Sequence, residues 1–253
     1  MKPTILEAKG VCKSFAHNGG QNHVLSHVDL KVYEGDFTVI MGASGSGKST
    51  LLYALSGMDR ATAGTVLYRE KDLVTMKEKE LAKLRYTDFG FIFQQMHLVS
   101  NLSLFENIAV SGYLNKEKTA VQVKERTESL LARMGITEVK THLPSQVSGG
   151  EQQRCAIARA VVNEPRVLFA DEPTGALNRK NTTEVLGLLT DLNRDGQSIV
   201  MVTHDMRAAL RATRLLYLED GKVIGELSLP PYDSEEEKSR ETQVNAWLSS
   251  MKW

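Results

Sequence analysis

Cysteine is nearly absent. Only Cys12 and Cys155 occur, far apart and without metal-ligand spacing. That excludes a disulfide framework and a cysteine-based zinc site, and makes reduced thiols the default. An excess of charge of either sign is missing too. Lys+Arg and Asp+Glu both number 31, so no broad electrostatic attraction to nucleic acid is expected. Long apolar runs are lacking. The longest, such as Leu51-Leu52-Tyr53-Ala54-Leu55, span a few residues, far short of the ~20 needed to cross a bilayer. Met1-Lys2-Pro3-Thr4 starts no secretion signal, and neither internal repeats nor long low-complexity segments occur. A membrane-spanning element, if the protein works with one, is expected on another chain.

Two short motifs stand out. Residues 42–50 read Gly-Ala-Ser-Gly-Ser-Gly-Lys-Ser-Thr. Gly42, Gly45 and Gly47 let the backbone curl and aim its N–H groups at anionic oxygens, with Ser44 and Ser46 between them. Lys48 supplies a point charge for terminal phosphates, the Ser49 hydroxyl suits Mg²⁺, and Thr50 opens a helix whose positive end adds to the anion site. Phe37–Met41 before it has strand composition, and Leu51–Leu55 after it is apolar and helical. Strand, glycine loop and helix is the context this phosphate-binding motif needs. Further on, Val167–Ala170 reads as a buried parallel strand with Asp171 and Glu172 at its carboxyl end. Ligands gather there in open α/β sheets. Asp171 suits Mg²⁺, and Glu172 suits polarising a water for attack on a γ-phosphate. The second motif is Val147-Ser148-Gly149-Gly150-Glu151-Gln152-Gln153-Arg154, a small-residue turn opening a helix over 151–162. It exposes amides to an anion. A guanine-binding Asn-Lys-x-Asp element is absent: Asn115-Lys116-Glu117-Lys118 lacks the Asp and reads as a solvated helix start.

With these motifs in hand, the chain resembles the ATP-binding subunits of ABC transporters, from about Ile5 to Leu227. The resemblance implies an α/β fold: a P-loop NTPase core with a β-rich N-terminal subdomain and an inserted α-helical subdomain. It implies two copies face to face around two Mg-ATP. Ser148, Gly149 and Gly150 of one copy would contact the γ-phosphate held by Lys48 of the other. Val147 and Glu151 stand where the commonest family form has Leu and Gln. Phe15 resembles the aromatic residue that stacks on adenine, with an ordinary core phenylalanine as the competing reading. Gln94, in Gly90-Phe91-Ile92-Phe93-Gln94, is similar to the glutamine that reaches Mg²⁺ and the attacking water. His204, after the apolar run Ile199–Val202, resembles the switch histidine that contacts the γ-phosphate. Asn178, in Gly175-Ala176-Leu177-Asn178, replaces the family's usual Asp, keeping hydrogen-bonding capacity and losing charge.

The resemblance is narrower than the whole family. Ile40–Gly47, Phe93-Gln94-Gln95 and Phe169–Asn178 look like the branch of lipoprotein-releasing, macrolide-export and antimicrobial-peptide-resistance ATPases, the last segment being nearest the peptide-resistance group. The branch implies hydrolysis that drives a separate permease in export or resistance, or a regulatory, lipoprotein-release or cell-division complex. The location implied is the cytoplasmic face of the plasma membrane, with no nucleic-acid partner. Chromosome-structure and DNA-repair ATPases need long heptad arms that this chain lacks, and translation-associated members carry two cassettes.

In layout, residues 1–229 are expected to form the ATP-binding domain, with a helical subdomain over about 95–162. Residues Gln95–Asn107 are the candidate permease-docking surface. Asn18-Gly19-Gly20 reads as a hairpin turn. Lys116–Met134 groups Leu130, Leu131 and Met134 on one helical face. The tail, 230–253, starts with the stop Pro230-Pro231. Ser234-Glu235-Glu236-Glu237 then has the form of a capping box, followed by a short helix with Val244, Trp247, Leu248 and Met251 on one side.

Overall fold

The structure is a computed structural model that describes residues 2–17 and 20–251. In chain order the elements are β1 (Thr4–His17), β2 (Gly20–Tyr33), β3 (Phe37–Met41), α1 (Lys48–Leu55), β4 (Ala63–Tyr68), β5 (Lys71–Asp72), α2 (Glu78–Thr87) and β6 (Phe89–Ile92). Then come α3 (Leu104–Tyr113), α4 (Ala120–Arg133), α5 (Gly149–Val161), β7 (Val167–Asp171) and α6 (Arg179–Arg194). The chain ends with β8 (Ser198–Val202), α7 (Met206–Ala209), β9 (Arg214–Glu219), β10 (Lys222–Ser228) and α8 (Glu237–Ser250). By contact it forms two compact units, Met1–Leu81 with Leu192–Trp253, and Ala82–Asp191.

The first unit carries an antiparallel sheet in the order β2-β1-β4-β5. The β1–β2 ladder runs from Thr4 opposite Tyr33 to His17 opposite Gly20. Of the expected Asn18-Gly19-Gly20 turn, positions 18 and 19 lie outside the described residues. The same unit holds β10-β9-β3-β8, with β3 parallel to β8 and β9, and β9–β10 a hairpin. Every residue of β3 and β8 is buried. This is the signature of parallel strands covered on both faces, and explains why all their residues but Thr38 and Ser198 are apolar.

The tail corrects one expectation. Helix α8 starts at Glu237, and its N-cap, Glu236, makes no side-chain cap hydrogen bond, so Ser234 is not the capping residue. The Glu237 carboxylate accepts from the Tyr232 hydroxyl instead. Tyr232 is itself held with the Arg211 guanidinium 3.9 Å over its ring. A buried phenol needing an acceptor outcompetes the local cap. The apolar stripe packs on its own unit: Val244 and Leu248 are buried. A Cβ on Gly225 of β10 would lie 2.5 Å from Met251 Sδ and 3.2 Å from Trp247 Cζ2.

In the second unit β6 pairs in parallel with β7, and α3, α4 and α5 pack together. Leu130, Leu131 and Met134 are buried, as the 3.6-residue spacing requires. The Asn115–Lys118 stretch is a turn, not a helix start. Thr119 and Gln122 form a capping box that sets the first turn of α4 at Ala120. Among the described residues no helix is long and apolar enough to cross a membrane.

Candidate functional site

The first unit holds the phosphate loop between β3 and α1. Its glycines are needed for two distinct reasons. At Gly42 a Cβ would sit 2.1 Å from the Leu218 carbonyl oxygen, so no larger residue fits. Gly47 has φ 100° and is the N-cap of α1, a left-handed conformation that L side chains rarely adopt. Helix α1 has no side-chain cap and no acidic residue in its first turn. Helices α3, α4 and α5 all carry capping boxes. No side chain of its own thus caps the start of α1, which is where an anion binds in helices of this kind. The buried Lys48 ammonium donates to the carbonyls of Gly42 and Ala43, both at 2.9 Å, which holds it at the curl of the loop. Ser46 Oγ is buried with no hydrogen-bond partner. Ala43, Ser44 and Gly45 are exposed, while Ser49 and Thr50 are half-buried.

Two other expected residues belong to this unit. Phe15, on β1, is 42% exposed, which removes the reading of it as a core residue. His204 is exposed directly after β8. Its neighbours are fixed: the Asp205 amide donates to Thr203 Oγ1, and the Asp205 carboxylate caps α7 and pairs with Arg207.

The second unit positions the acidic pair and the signature turn. Asp171 is buried at the end of β7. Glu172 follows with φ 45°, a left-handed conformation costing on the order of 1–3 kcal/mol for a side-chain-bearing residue. Its carbonyl accepts from the Gly175 amide. A Cβ on Gly175 would lie 2.8 Å from Gln94 Nε2, so the exposed Gln94 amide rests against the turn that follows Glu172. Asn178 accepts from the Asn181 amide at 2.9 Å and so caps α6. Asn and Asp cap helices about equally well, and the substitution keeps this local structure.

Ser148 is the N-cap of α5. Its Oγ accepts from the Glu151 amide and donates to Glu151 Oε2 at 2.6 Å, while the Ser148 amide donates to the same carboxylate. Hydrogen bonds from the Ser148 hydroxyl, then from its amide, hold the Glu151 carboxyl below the usual carboxylate range. Gly149 is exposed. Gly150 is pressed on α6: a Cβ there would come 2.6 Å from Asn181 Cγ.

The same unit contains a cavity of about 400 Å³, lined by Phe89, Phe91, Phe93, His97, Val110 and Leu114 among others. Two residues that the sequence did not single out build its wall. Arg159 donates to the carbonyls of Met96 and His97 at 2.6 and 2.7 Å, and burial pulls its pKa down. Asn107 is fully buried. Its amide nitrogen donates to the carbonyls of Val99, Leu102 and Ser103, and its oxygen accepts from the Val99 amide. A polar Asn on the apolar face Leu104, Ile108 was the one signal available. Val99, Val110 and Leu114 of its lining are all more than 40% exposed, an apolar rim of the kind that marks interaction sites.

Cys155 also lies in this unit, fully buried, and desolvation pushes its thiol up to about 12. The reactive species is the thiolate. One thiol per native chain, Cys12, is therefore expected to react with an aromatic disulfide reagent at pH 8, and two after denaturation. Two fast thiols in the native protein would contradict the burial.

Each unit offers one oxygen donor of the kind Mg²⁺ takes. No cluster of three or more His, Cys, Asp or Glu that could hold a metal occurs among the described residues. Mg²⁺ with a nucleotide needs only one or two protein oxygens, the rest coming from phosphate and water. The Ser49 hydroxyl and the Asp171 carboxylate are oxygens of that kind.

Comparison with known proteins agrees with this chemistry. The family profile described as ABC transporter matches residues 25–175. The chain is 40% identical over 254 residues to the macrolide export ATP-binding/permease protein MacB of Pasteurella multocida, covering 99% of the chain and 38% of that protein. It is 43% identical over 223 residues to the protein of that name from Wolinella succinogenes, covering 88% and 34%. The chain thus spans well under half the length of these relatives. Among solved structures, the ATP-binding cassette MJ0796 in a dimeric post-hydrolysis state bound to ADP and Pi has a TM-score of 0.83 at 35% identity. It covers 90% of this chain and all of that one. A second dimeric structure of MJ0796, a bacterial ABC transporter cassette, has the same TM-score at 36% identity. The expected α/β P-loop fold and the macrolide-export branch are both borne out, and the chain belongs to the ABC transporter family as an ATP-binding domain.

Proposed function

We propose that the chain binds and hydrolyses ATP as one half of a symmetric pair and passes the resulting closure to a membrane permease. The observation that carries this reading is a contrast between two helix starts. Helix α1 opens on a left-handed glycine with no side-chain cap and a buried lysine, whereas α5 opens on a capping serine, itself exposed, followed by an exposed glycine. The first suits a triphosphate held by its own chain. The second suits a phosphate presented by another.

Lys48 and the amides of 42–50 bind the phosphates, and Phe15 receives the adenine ring. Ser49 and Asp171, with Gln94 reaching in, would hold Mg²⁺, which when bound neutralises phosphate charge. Glu172 accepts the proton of the attacking water at its carboxylate, and His204 donates to the γ-phosphate. The site is completed by Ser148, Gly149 and Gly150 of the partner subunit. For Ser148 to offer its hydroxyl proton to phosphate, it must release Glu151 Oε2. The Glu151 carboxylate therefore competes with the anion it faces.

The aromatic cavity takes His97, Val99 and Asn107 from the 95–107 segment, and with its apolar rim it is the surface we assign to the permease. Closure on ATP gives the differential affinity for two states that such a switch requires. By analogy with the macrolide-export relatives, the work is export or antibiotic and peptide resistance at the cytoplasmic face of the plasma membrane, without a nucleic-acid partner. Two results test the reading. Hydrolysis per chain should rise with protein concentration as pairs form; a rate independent of concentration, in a chain that stays single, would sink the pairing. Val110→Glu with Leu114→Glu should leave that basal hydrolysis intact and remove its stimulation by the permease.

A further inference from the structure

We infer that Lys13 is a positioning residue for the nucleotide base: it locks the Phe15 ring to the far end of the phosphate-loop helix. The inference rests on the proposal that adenine stacks on Phe15. Lys13 and Phe15 are two apart on β1, at a point where its ladder with β2 shifts register. The Lys13 ammonium lies over the Phe15 ring, 4.9 Å from its centroid, while the ring stays 42% exposed. A face is left for a planar ligand.

The ammonium is fixed from the other side. Lys13 is 9% exposed, and its Nζ donates to Asp59 Oδ1 at 2.5 Å and to the Arg60 carbonyl at 2.7 Å. Residues 58 and 59 are tied to α1, because both amides donate to the Tyr53 carbonyl. The neighbouring backbone is stitched to the same segment: the Thr62 amide donates to the Cys12 carbonyl, and the Ser14 amide donates to Thr62 Oγ1. Helix α1 begins at Lys48, the residue assigned to phosphate, and ends at Leu55, with Asp59 in the turn that follows. The spacing between the base platform and the phosphate loop is thus set by one rigid element and one cation.

A neutral residue would serve as a mere tie at lower desolvation cost. A cation adds something else. Over one ring face it draws π density away from the other, which favours stacking with an electron-rich purine. Lys13 acts through Phe15 on the base and has no role toward the phosphates.

The experiment is calorimetric titration of the full chain with MgATP and, separately, inorganic tripolyphosphate. Lys13→Met should weaken ATP about three- to tenfold, the scale of a partly desolvated cation–π contact, with tripolyphosphate affinity unchanged within about twofold. In a Phe15→Ala background the same substitution should have no further effect, and Lys13→Arg, which folds with the cation retained, should restore ATP affinity. Equal loss for both ligands, equal loss in Lys13→Arg and Lys13→Met, or tighter ATP binding by Lys13→Met would each overturn the assignment. The last would mean that the ammonium covers the face the base needs. If Phe15→Ala weakens ATP while Lys13→Met does not, this inference alone fails. If Phe15→Ala leaves ATP affinity intact while Lys48→Ala removes it, the base-stacking reading fails and takes this inference with it.

Discussion

Glu172→Gln is expected to slow ATP hydrolysis by about 10²–10⁴-fold, the scale of a lost general base, while ATP still draws two chains together. The argument combines chemistry with backbone conformation. Glutamine keeps the length and planarity of the side chain and can still hydrogen-bond a water, but it cannot take its proton. Glu172 sits at φ 45°, in a turn closed by the bond from the Gly175 amide to its carbonyl. A β-branched or bulky replacement there would disturb the turn against which Gln94 rests. Glutamine leaves the left-handed cost unchanged, so loss of rate reports the carboxylate alone. The measurement pairs steady-state phosphate release with size-exclusion chromatography in excess MgATP. Turnover within about threefold of the unaltered chain would remove Glu172 from the base role.

The residues that could be read from the sequence are those whose role is local. The phosphate loop declares itself because Gly42 and Gly47 are demanded by backbone crowding and by φ. Strands β3, β7 and β8 declare themselves because burial on both faces leaves mostly apolar side chains, with one polar residue in each, Thr38, Asp171 and Ser198. Capping also reads well where the partners are near in sequence: Ser148 with Glu151 sets the start of α5. It fails where a distant residue competes. Ser234–Glu237 has the pattern of a box, yet Tyr232 takes the Glu237 carboxylate and the helix starts without a side-chain cap. Thr119 and Gln122 are near neighbours and legible: their box starts α4 at Ala120, past the Asn115–Lys118 stretch. Lys13, Asn107 and Arg159 were missed for a related reason. Each works by donating to main-chain carbonyls, Asn107 to those of the preceding loop, Lys13 and Arg159 to Arg60 and Met96 far along the chain. A carbonyl carries no sequence signature.

Gly150→Asp is expected to abolish pairing while sparing ATP binding by the single chain. The turn 148–150 opens α5, whose first amides carry partial positive charge. A carboxylate placed there, beside the existing Glu151, would face the γ-phosphate of the partner's nucleotide. Two unit charges about 4 Å apart repel by on the order of 4 kcal/mol at an effective dielectric of about 20, about a thousandfold in affinity. The new Cβ also meets Asn181, whose Cγ lies 2.6 Å away. That contact is relieved by a small shift of one short side chain, so the chain should fold and the charge should dominate. Lys48 and its loop belong to the other unit, and ATP affinity of the isolated chain should change by less than about threefold. The sharpest form of the test places Gly150→Asp on the Glu172→Gln background. Glu172→Gln alone should elute as a pair in MgATP, and the double variant as a single chain with nucleotide still bound. Gly150→Ala separates the two causes, because it adds the Cβ without the charge and should retain most of the pairing. Were Gly150→Asp to pair normally, the signature turn would not face a phosphate, and the second half of the site would have to be sought elsewhere on the chain.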